Sequence, residues 1–76
     1  MAMEYQEVKS SHIAVVGYDK ETQTMDIKFH TGPVYSYAGV HPVVHKELMA
    51  AESPGKYFQA NVRNIFETKR IYSDIK

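Results

Sequence analysis

Seven residues of this 76-residue chain have side chains or backbone groups that suit a phosphate-bearing ligand. They are Tyr35, Tyr37, Ser53, Gly55, Lys56, Tyr57 and Arg63. Tyrosine rings can stack on nucleic-acid bases, free backbone N–H groups at a helix start attract anions, and lysine and arginine neutralise phosphate. The set therefore predicts a site for a nucleotide or for RNA.

The tyrosines of the segment Tyr35, Ser36, Tyr37 must project in the same direction if this segment is a strand, because side chains alternate between faces. The loop before the strand decides which direction. With an even loop, Tyr35 faces Lys28 and both rings lie on the open side of the sheet as a stacking platform. With a three-residue loop, Tyr35 faces Phe29 and both rings enter the core, where their hydroxyl groups would reach its edge.

The segment that starts at Ser53 predicts the beginning of a helix with an anion site. Ser53 is a good N-cap, and Pro54 suits the first helical position. Gly55 would let a ligand approach the backbone, and Lys56 adds a positive charge. Arg63, two turns along, is expected on the same side as Lys56, where it could donate a forked pair of hydrogen bonds to phosphate. The alternative is an ordinary capped helix with solvated charges.

No local pattern in the sequence indicates a catalytic or metal site. The chain has serines and four histidines, but no motif joins a nucleophile to a base. His41 and His45 are four residues apart, yet Pro42 between them places His41 outside the helix that would bring both imidazoles to one metal. We therefore predict a protein without catalytic residues, metal or cofactor.

Composition limits the class of protein. The nine acidic and nine basic residues cancel, which argues against a protein that grips long duplex DNA through net charge. Without cysteine, disulfides and thiolate zinc sites are excluded, and no segment approaches the length of a membrane span. The N-terminus lacks the features of a signal peptide, so we expect a cytoplasmic protein. A single domain over residues 1–76 is small enough to gain stability as a homodimer.

Hydrophobic periodicity predicts three strands followed by two helices. An apolar β-branched run covers 12–18, apolar and polar residues alternate over 25–30, and the tyrosine strand covers 34–38. The fold expected from this order is α+β, a three-stranded antiparallel β-meander followed by two short α-helices packed on one face. The core should lie at about 8–66, followed by a short C-terminal tail.

The helices are predicted from apolar residues three and four positions apart. The first covers 42–51, and the second begins at Pro54 after its cap. The predicted core stripe of the second helix is Phe58, Val62, Ile65 and Phe66. On the same spacing, Lys56, Gln59 and Arg63 should lie on its exposed side.

Four short motifs follow one another in the sequence. They are the double serine at 10–11, Gly17-Tyr18-Asp19, Tyr35-x-Tyr37, and Ser53-x-Gly55-x-Tyr57-Phe58. In this order and spacing the chain resembles the KTSC domain over about residues 8–66. That family is named for the C-terminal extension of some lysyl-tRNA synthetases and also occurs as small stand-alone proteins of bacteria and phages. The resemblance implies no enzymatic role, and it implies RNA binding, which has been proposed for the family.

Two hypotheses about function follow. The first is a non-catalytic binding module for RNA or for a small or cyclic nucleotide, and a phage protein that sequesters a nucleotide signal would be one form of it. The second is a protein–protein interaction module without a nucleotide ligand. In that case the open sheet face or the tail, with Ile71, Tyr72 and Ile75, would bind the partner chain.

Overall fold

Five antiparallel strands and two helices make up the described part of the chain. The computed structural model describes residues 3–63 and 65–71, and their side chains up to residue 69. The elements in chain order are β1 (Glu4–Glu7), β2 (Ile13–Asp19), β3 (Thr24–Phe29), β4 (Val34–Ala38), α1 (Pro42–Ala50), α2 (Pro54–Asn61) and β5 (Glu67–Ile71). The strands lie in the sheet in the order in which they occur in the sequence, so β1 and β5 form its two edges.

The core lies between one face of the sheet and the two helices. Met25 and Ile27 alternate with polar residues on β3, and both are fully buried. Leu48 of α1 and Phe58 of α2 belong to the same buried cluster. Its other members are Ile13, Val16, Tyr18, Tyr37, Val40 and Val62. Burying an aliphatic or aromatic side chain of this size contributes about 1.5–3 kcal/mol to stability.

The predicted α+β class and the three predicted strands are confirmed, but the predicted number of strands in the sheet was wrong. One further strand pairs at each edge, and β5 occupies the first half of the segment expected to be a tail. All four residues of β1 are exposed, and β5 reads Glu-Thr-Lys-Arg-Ile. Neither segment alternates apolar with polar residues, because an edge strand held mainly by backbone pairing needs no buried row of side chains. Tyr72 and Ile75 lie outside the described residues.

The second helix is shorter than its predicted core stripe. Val62 is the C-cap of α2, and the N–H groups of Val62 and Arg63 both donate to the carbonyl oxygen of Phe58 at 2.9 Å. Val62 is buried as predicted, whereas Ile65 is 61% exposed. Phe66 packs partly against the core from beyond the helix. The apolar spacing therefore indicated buried residues correctly up to the C-cap, after which the chain turns back to form β5.

The sheet face opposite the helices carries Gly17 and Asp26 directly across from each other. Tyr5, the β1 partner of Gly17, lays its ring over this glycine, where a Cβ would collide with the ring carbons. Asp26 is 7% exposed, and its Oδ1 has no hydrogen-bond partner in the described part of the chain. Burial raises the pKa of this carboxyl, while a hydrogen bond from Ser36 opposes the rise. The charged form of Asp26 is therefore disfavoured.

Candidate functional site

The turn between β3 and β4 decides the orientation of the two tyrosines. A backbone hydrogen bond closes a three-residue loop after Phe29, and Gly32 in this loop has a φ of 117°, which favours glycine. Tyr35 consequently pairs with Ile27, a core residue, and Tyr37 follows on the same face. The three-residue alternative is confirmed, and the two rings do not form a stacking platform on the open side of the sheet.

Both tyrosine rings pack edge-on against phenylalanines. The ring centroids of Tyr37 and Phe58 are 5.5 Å apart with an interplanar angle of 80°. Those of Tyr35 and Phe29 are 5.9 Å apart at 68°. Edge-on aromatic pairs add about 0.5–1.5 kcal/mol beyond the burial of their surface. Tyr37 is buried and Tyr35 half-buried, so their ring bodies are held in place by the core.

A cavity of about 340 Å³ lies where the two tyrosines meet α2. It is lined by His12, Phe29, Tyr35, Tyr37, Gly55, Phe58, Gln59, Arg63 and Thr68, and we call it the tyrosine cavity. Four of the seven predicted site residues meet here, although they come from three separate segments. The described lining contains two basic residues, His12 and Arg63, and no carboxylate. This polarity favours an anionic ligand over a cationic one.

The guanidinium of Arg63 lies close enough to the phenol of Tyr37 to influence its ionisation. Burial, followed by the neighbouring Tyr35, raises the pKa of Tyr37 to about 12, and the positive charge of Arg63 opposes that rise. Arg63 itself is exposed. An exposed guanidinium at the mouth of an aromatic cavity can donate two parallel hydrogen bonds to a phosphate that approaches from solvent.

Ser53 caps α2 as predicted, but it does not line the tyrosine cavity. Its Oγ accepts a hydrogen bond from the backbone N–H of Lys56 at 3.4 Å, and Pro54 is the first helical residue. Lys56 is exposed and does not line the cavity either. Arg63 follows the C-cap, so helical spacing no longer relates its position to that of Lys56. The structure therefore does not bring Lys56 to the cavity that Arg63 lines. Of this segment, Gly55 reaches the cavity wall.

Tyr57 joins the two helices and lies outside the cavity lining. Its hydroxyl group donates a hydrogen bond of 2.7 Å to Oε1 of Glu47 on α1. This hydrogen bond, aided by burial and by the negative charge of Glu47, raises the pKa of Tyr57 to about 12. The observed role of Tyr57 is therefore structural.

His12 reaches the cavity from the start of β2 and was not among the predicted site residues. The Oγ of Ser10 accepts hydrogen bonds from the N–H groups of His12 at 3.1 Å and Ile13 at 3.2 Å. The Oγ of Ser11 lies 3.1 Å from Nδ1 of His12, and a Cβ on Gly55 would lie 3.2 Å from the same nitrogen. The double serine thus holds the imidazole against the start of α2. This motif was the one signal in the sequence that could have pointed to His12.

The sequence indicated three of the four remaining lining residues and missed the fourth. Phe29 and Phe58 were predicted as apolar strand and core residues, and they form the wall that supports the tyrosines. Gln59 was predicted to be exposed, which is confirmed, and it lies at the cavity. Thr68 pairs with Tyr37 across β4 and β5, so it could not be placed while β5 was read as a tail.

A second cavity of about 470 Å³ lies at the other end of the sheet and has the opposite polarity. It is lined by Glu4, Gln6, Tyr18, Asp19, Lys20, Glu21, Pro42 and His45. The rings of Tyr18 and His45 stack with centroids 4.4 Å apart, and burial lowers the pKa of His45. His41 instead caps α1, where its Nδ1 accepts from the N–H of Val43 at 3.1 Å. Residues 3–63 and 65–71 contain no group of three or more His, Cys, Asp or Glu residues placed to hold a metal ion.

Comparison with known families matches the KTSC domain to residues 9–66. A crystal structure of a KTSC domain protein from Yersinia pestis superimposes with a TM-score of 0.87 at 35% sequence identity. That match covers 92% of this chain and 99% of the Yersinia chain. The described helices include none that is long and apolar enough to cross a membrane.

Two further relatives differ greatly in length. A protein of Tsukamurella paurometabola is 39% identical over 61 residues, which are 80% of this chain and 91% of that protein. A lysine–tRNA ligase of Nostoc punctiforme is 33% identical over 63 residues, which are 83% of this chain but 11% of the ligase. The matching sequence region thus makes up nearly all of one relative and a small part of the other.

Proposed function

The chain belongs to the KTSC domain family, and on this premise we propose that it is a non-catalytic binding module for a phosphate-bearing ligand, either RNA or a small nucleotide. The ligand occupies the tyrosine cavity. The observation that carries the proposal is the meeting of Tyr35, Tyr37 and Arg63 in one cavity whose described lining contains no carboxylate.

The lining offers each part of a nucleotide a suitable environment. Ligand sites typically combine apolar walls with a few polar groups that fix orientation. The aromatic wall built on Phe29 and Phe58 suits a base, and Arg63 suits its phosphate. The amide of Gln59 and the hydroxyl of Thr68 can hydrogen-bond to a sugar or to a base edge.

The same lining supports binding without catalysis. General acid–base catalysis at neutral pH needs groups whose pKa lies near 7. The pKa of Tyr37 is raised to about 12, which keeps its phenol protonated. Since the described lining holds no carboxylate and one imidazole, that of His12, it does not offer a pair of groups that could give and accept a proton.

The relatives are consistent with this ligand class. The similar region of the Nostoc protein belongs to a lysine–tRNA ligase, an enzyme whose name includes an RNA. The proposal retains the expected cytoplasmic location, which fits a chain without cysteine. It also retains the homodimer, which sedimentation at several protein concentrations tests.

A thermal-shift screen against mononucleotides, cyclic nucleotides and short RNA tests the proposal. A ligand at a hundred times its Kd adds about 2.7 kcal/mol to the stability of the folded state, so the melting temperature should rise measurably. Arg63→Ala should reduce the rise by about half or more. Lys69→Ala is the matched control, because Lys69 pairs with Ser36 and faces the opposite side of the sheet. If no nucleotide or RNA raises the melting temperature at millimolar concentration, the proposal fails.

The second candidate is a protein interaction module, and one observation favours it. Ile65 is 61% exposed and comes two residues before β5, an edge strand of the sheet. Exposed strand edges with nearby aliphatic residues can pair with another chain. Ile65→Ser should then reduce self-association in sedimentation experiments, and no nucleotide should raise the melting temperature of the unaltered chain. An unchanged sedimentation profile would remove the support for this candidate.

A further inference from the structure

The proposed function leaves open whether the ligand is one nucleotide or a strand of RNA. We propose that the tyrosine cavity binds a single free nucleotide. This inference rests on the proposed function and narrows its ligand class. The size of the cavity and the placement of the positive charges around it support a single nucleotide.

The tyrosine cavity is of a size that suits one nucleotide. Ligand cavities commonly measure about 300–1,000 Å³. The tyrosine cavity, at about 340 Å³, lies at the lower end of that range. One base and its sugar phosphate would occupy most of it. A second nucleotide of a strand would therefore have to lie on the protein surface outside the cavity.

Several of the positive charges that such a strand would need lie away from the cavity. Proteins that bind single strands hold the backbone in a positively charged groove. Ser36 lies between the two cavity tyrosines on β4, so its side chain points away from the cavity, and its β5 partner Lys69 does the same. Lys28 pairs with Val34 on that same far face. Lys20 lines the second cavity at the other end of the sheet.

Three described cations belong to the segments that meet at the tyrosine cavity. Arg63 is part of its lining, whereas Lys56 on α2 and Lys9, which precedes Ser10, are exposed and lie outside the lining. The chain as a whole has no net charge. The described lining thus provides one cation, which suits a single phosphate group and not a row of phosphates.

Nucleotides and oligonucleotides of increasing length test the inference by calorimetry. The probes are the four ribonucleoside 5′-monophosphates, their 3′,5′-cyclic forms, and unphosphorylated oligomers of two, three and five nucleotides. We expect a mononucleotide to bind at one per chain and longer oligomers to bind no more tightly. Each additional base stacked by the protein would instead add about 1–3 kcal/mol, or roughly fivefold or more in Kd.

The salt dependence of binding provides an independent measurement. For a single strand held at Z phosphates, log K falls with log salt with a slope of about −0.7Z. A slope of about −0.7 or shallower for the pentamer supports one phosphate contact. Lys56→Gln should leave the affinity for a mononucleotide nearly unchanged, whereas Arg63→Gln should weaken it about tenfold or more, since a lost charged hydrogen bond costs about 1.5–3 kcal/mol.

The outcomes separate this inference from the proposed function. Affinity that increases with oligomer length, or a pentamer that binds while every mononucleotide is silent, overturns the single-nucleotide site but leaves the proposed function standing. If the pentamer binds only with an added 5′-phosphate, and then as tightly as the mononucleotide, the site recognises strand ends. That result overturns the proposal that the ligand is a free nucleotide. If no probe binds, the inference and the proposed function fail together.

Discussion

Gly55 lies so close to His12 that a Cβ built on this glycine would be 3.2 Å from the imidazole Nδ1. The first residues of α2 and the segment before β2 therefore meet at one point of the tyrosine cavity. This close approach is possible because glycine has no side chain, and any larger residue would force the imidazole to move. Two motifs that are far apart in the sequence, the double serine and Ser53-x-Gly55, are joined by it.

Gly55→Ala should weaken nucleotide binding while leaving the protein folded. Alanine gains up to about 1 kcal/mol of helix propensity over glycine, which offsets the tight contact with His12. We expect the free energy of unfolding in urea to stay within about 1 kcal/mol of the parent value. The imidazole must yield by a few tenths of an ångström at the cavity wall, so Kd should rise about twofold to threefold, or 0.4–0.7 kcal/mol.

Ala60→Gly is the matched control for Gly55→Ala. Ala60 is exposed on the same helix and does not line the cavity. The glycine should lower stability by about 0.5–1 kcal/mol without changing Kd. A Gly55→Ala protein that binds as tightly as the parent would show that the position of His12 does not matter for the ligand.

Gly17→Ala should destabilise the protein by detaching β1. The ring of Tyr5 occupies the space in which the new methyl group would lie, and Sδ of Met3 would be 2.9 Å away. Overpacking of this kind costs about 1–3 kcal/mol of stability. In a domain of this size, each kcal/mol lost lowers the melting temperature by about 4–8 °C. In a Tyr5→Ala background the same change should cost less, because the ring is gone. Equal costs in both backgrounds would contradict the contact.

Asp26→Asn should stabilise the protein at neutral pH. Burial raises the pKa of Asp26, so the folded state binds this proton more tightly than the unfolded state does. Stability therefore falls as pH rises from the ordinary carboxyl pKa of 3.8 through the raised folded pKa, and the destabilisation is complete above it. Asparagine cannot ionise, so we expect a gain in stability at pH 7 that disappears in acid. Urea unfolding at a series of pH values measures this gain in stability. Glu67→Gln is the control, because the carboxyl of Glu67 is exposed.

The phenol of Tyr37 should be among the last in the chain to ionise. Its folded pKa is about 12 against 10.0 in the unfolded chain, so its contribution to stability is intact below pH 10 and is lost as pH rises through about 12. Arg63→Gln should raise the pKa of Tyr37 further, because the charge of Arg63 favours the phenolate. The rise of phenolate absorbance with pH measures the pKa of Tyr37. The measurement is made in a Tyr57→Phe background, since the pKa of Tyr57 is also about 12 and would overlap. No change upon Arg63→Gln would place Arg63 away from the phenol.

The sequence by itself determined the local features of this protein. The central strands, the cap at Ser53, the position of His41 before α1 and the burial of Val62 could all be predicted correctly. Each depends on residues within a few positions of one another, through alternation, capping chemistry or helical spacing. The ordered motifs likewise identified the KTSC family without any knowledge of the fold.

Tertiary structure alone decided which residues share a site. Whether Tyr35 points to the core depended on one residue of register, because a shift by one position reverses every side chain of a strand. The edge strands β1 and β5 have no buried row to mark them, so Thr68 could not be placed beside Tyr37. His12 reaches Gly55 only because the sheet brings the start of β2 under α2. Such contacts join segments distant in sequence, and no local pattern of residue types encodes them.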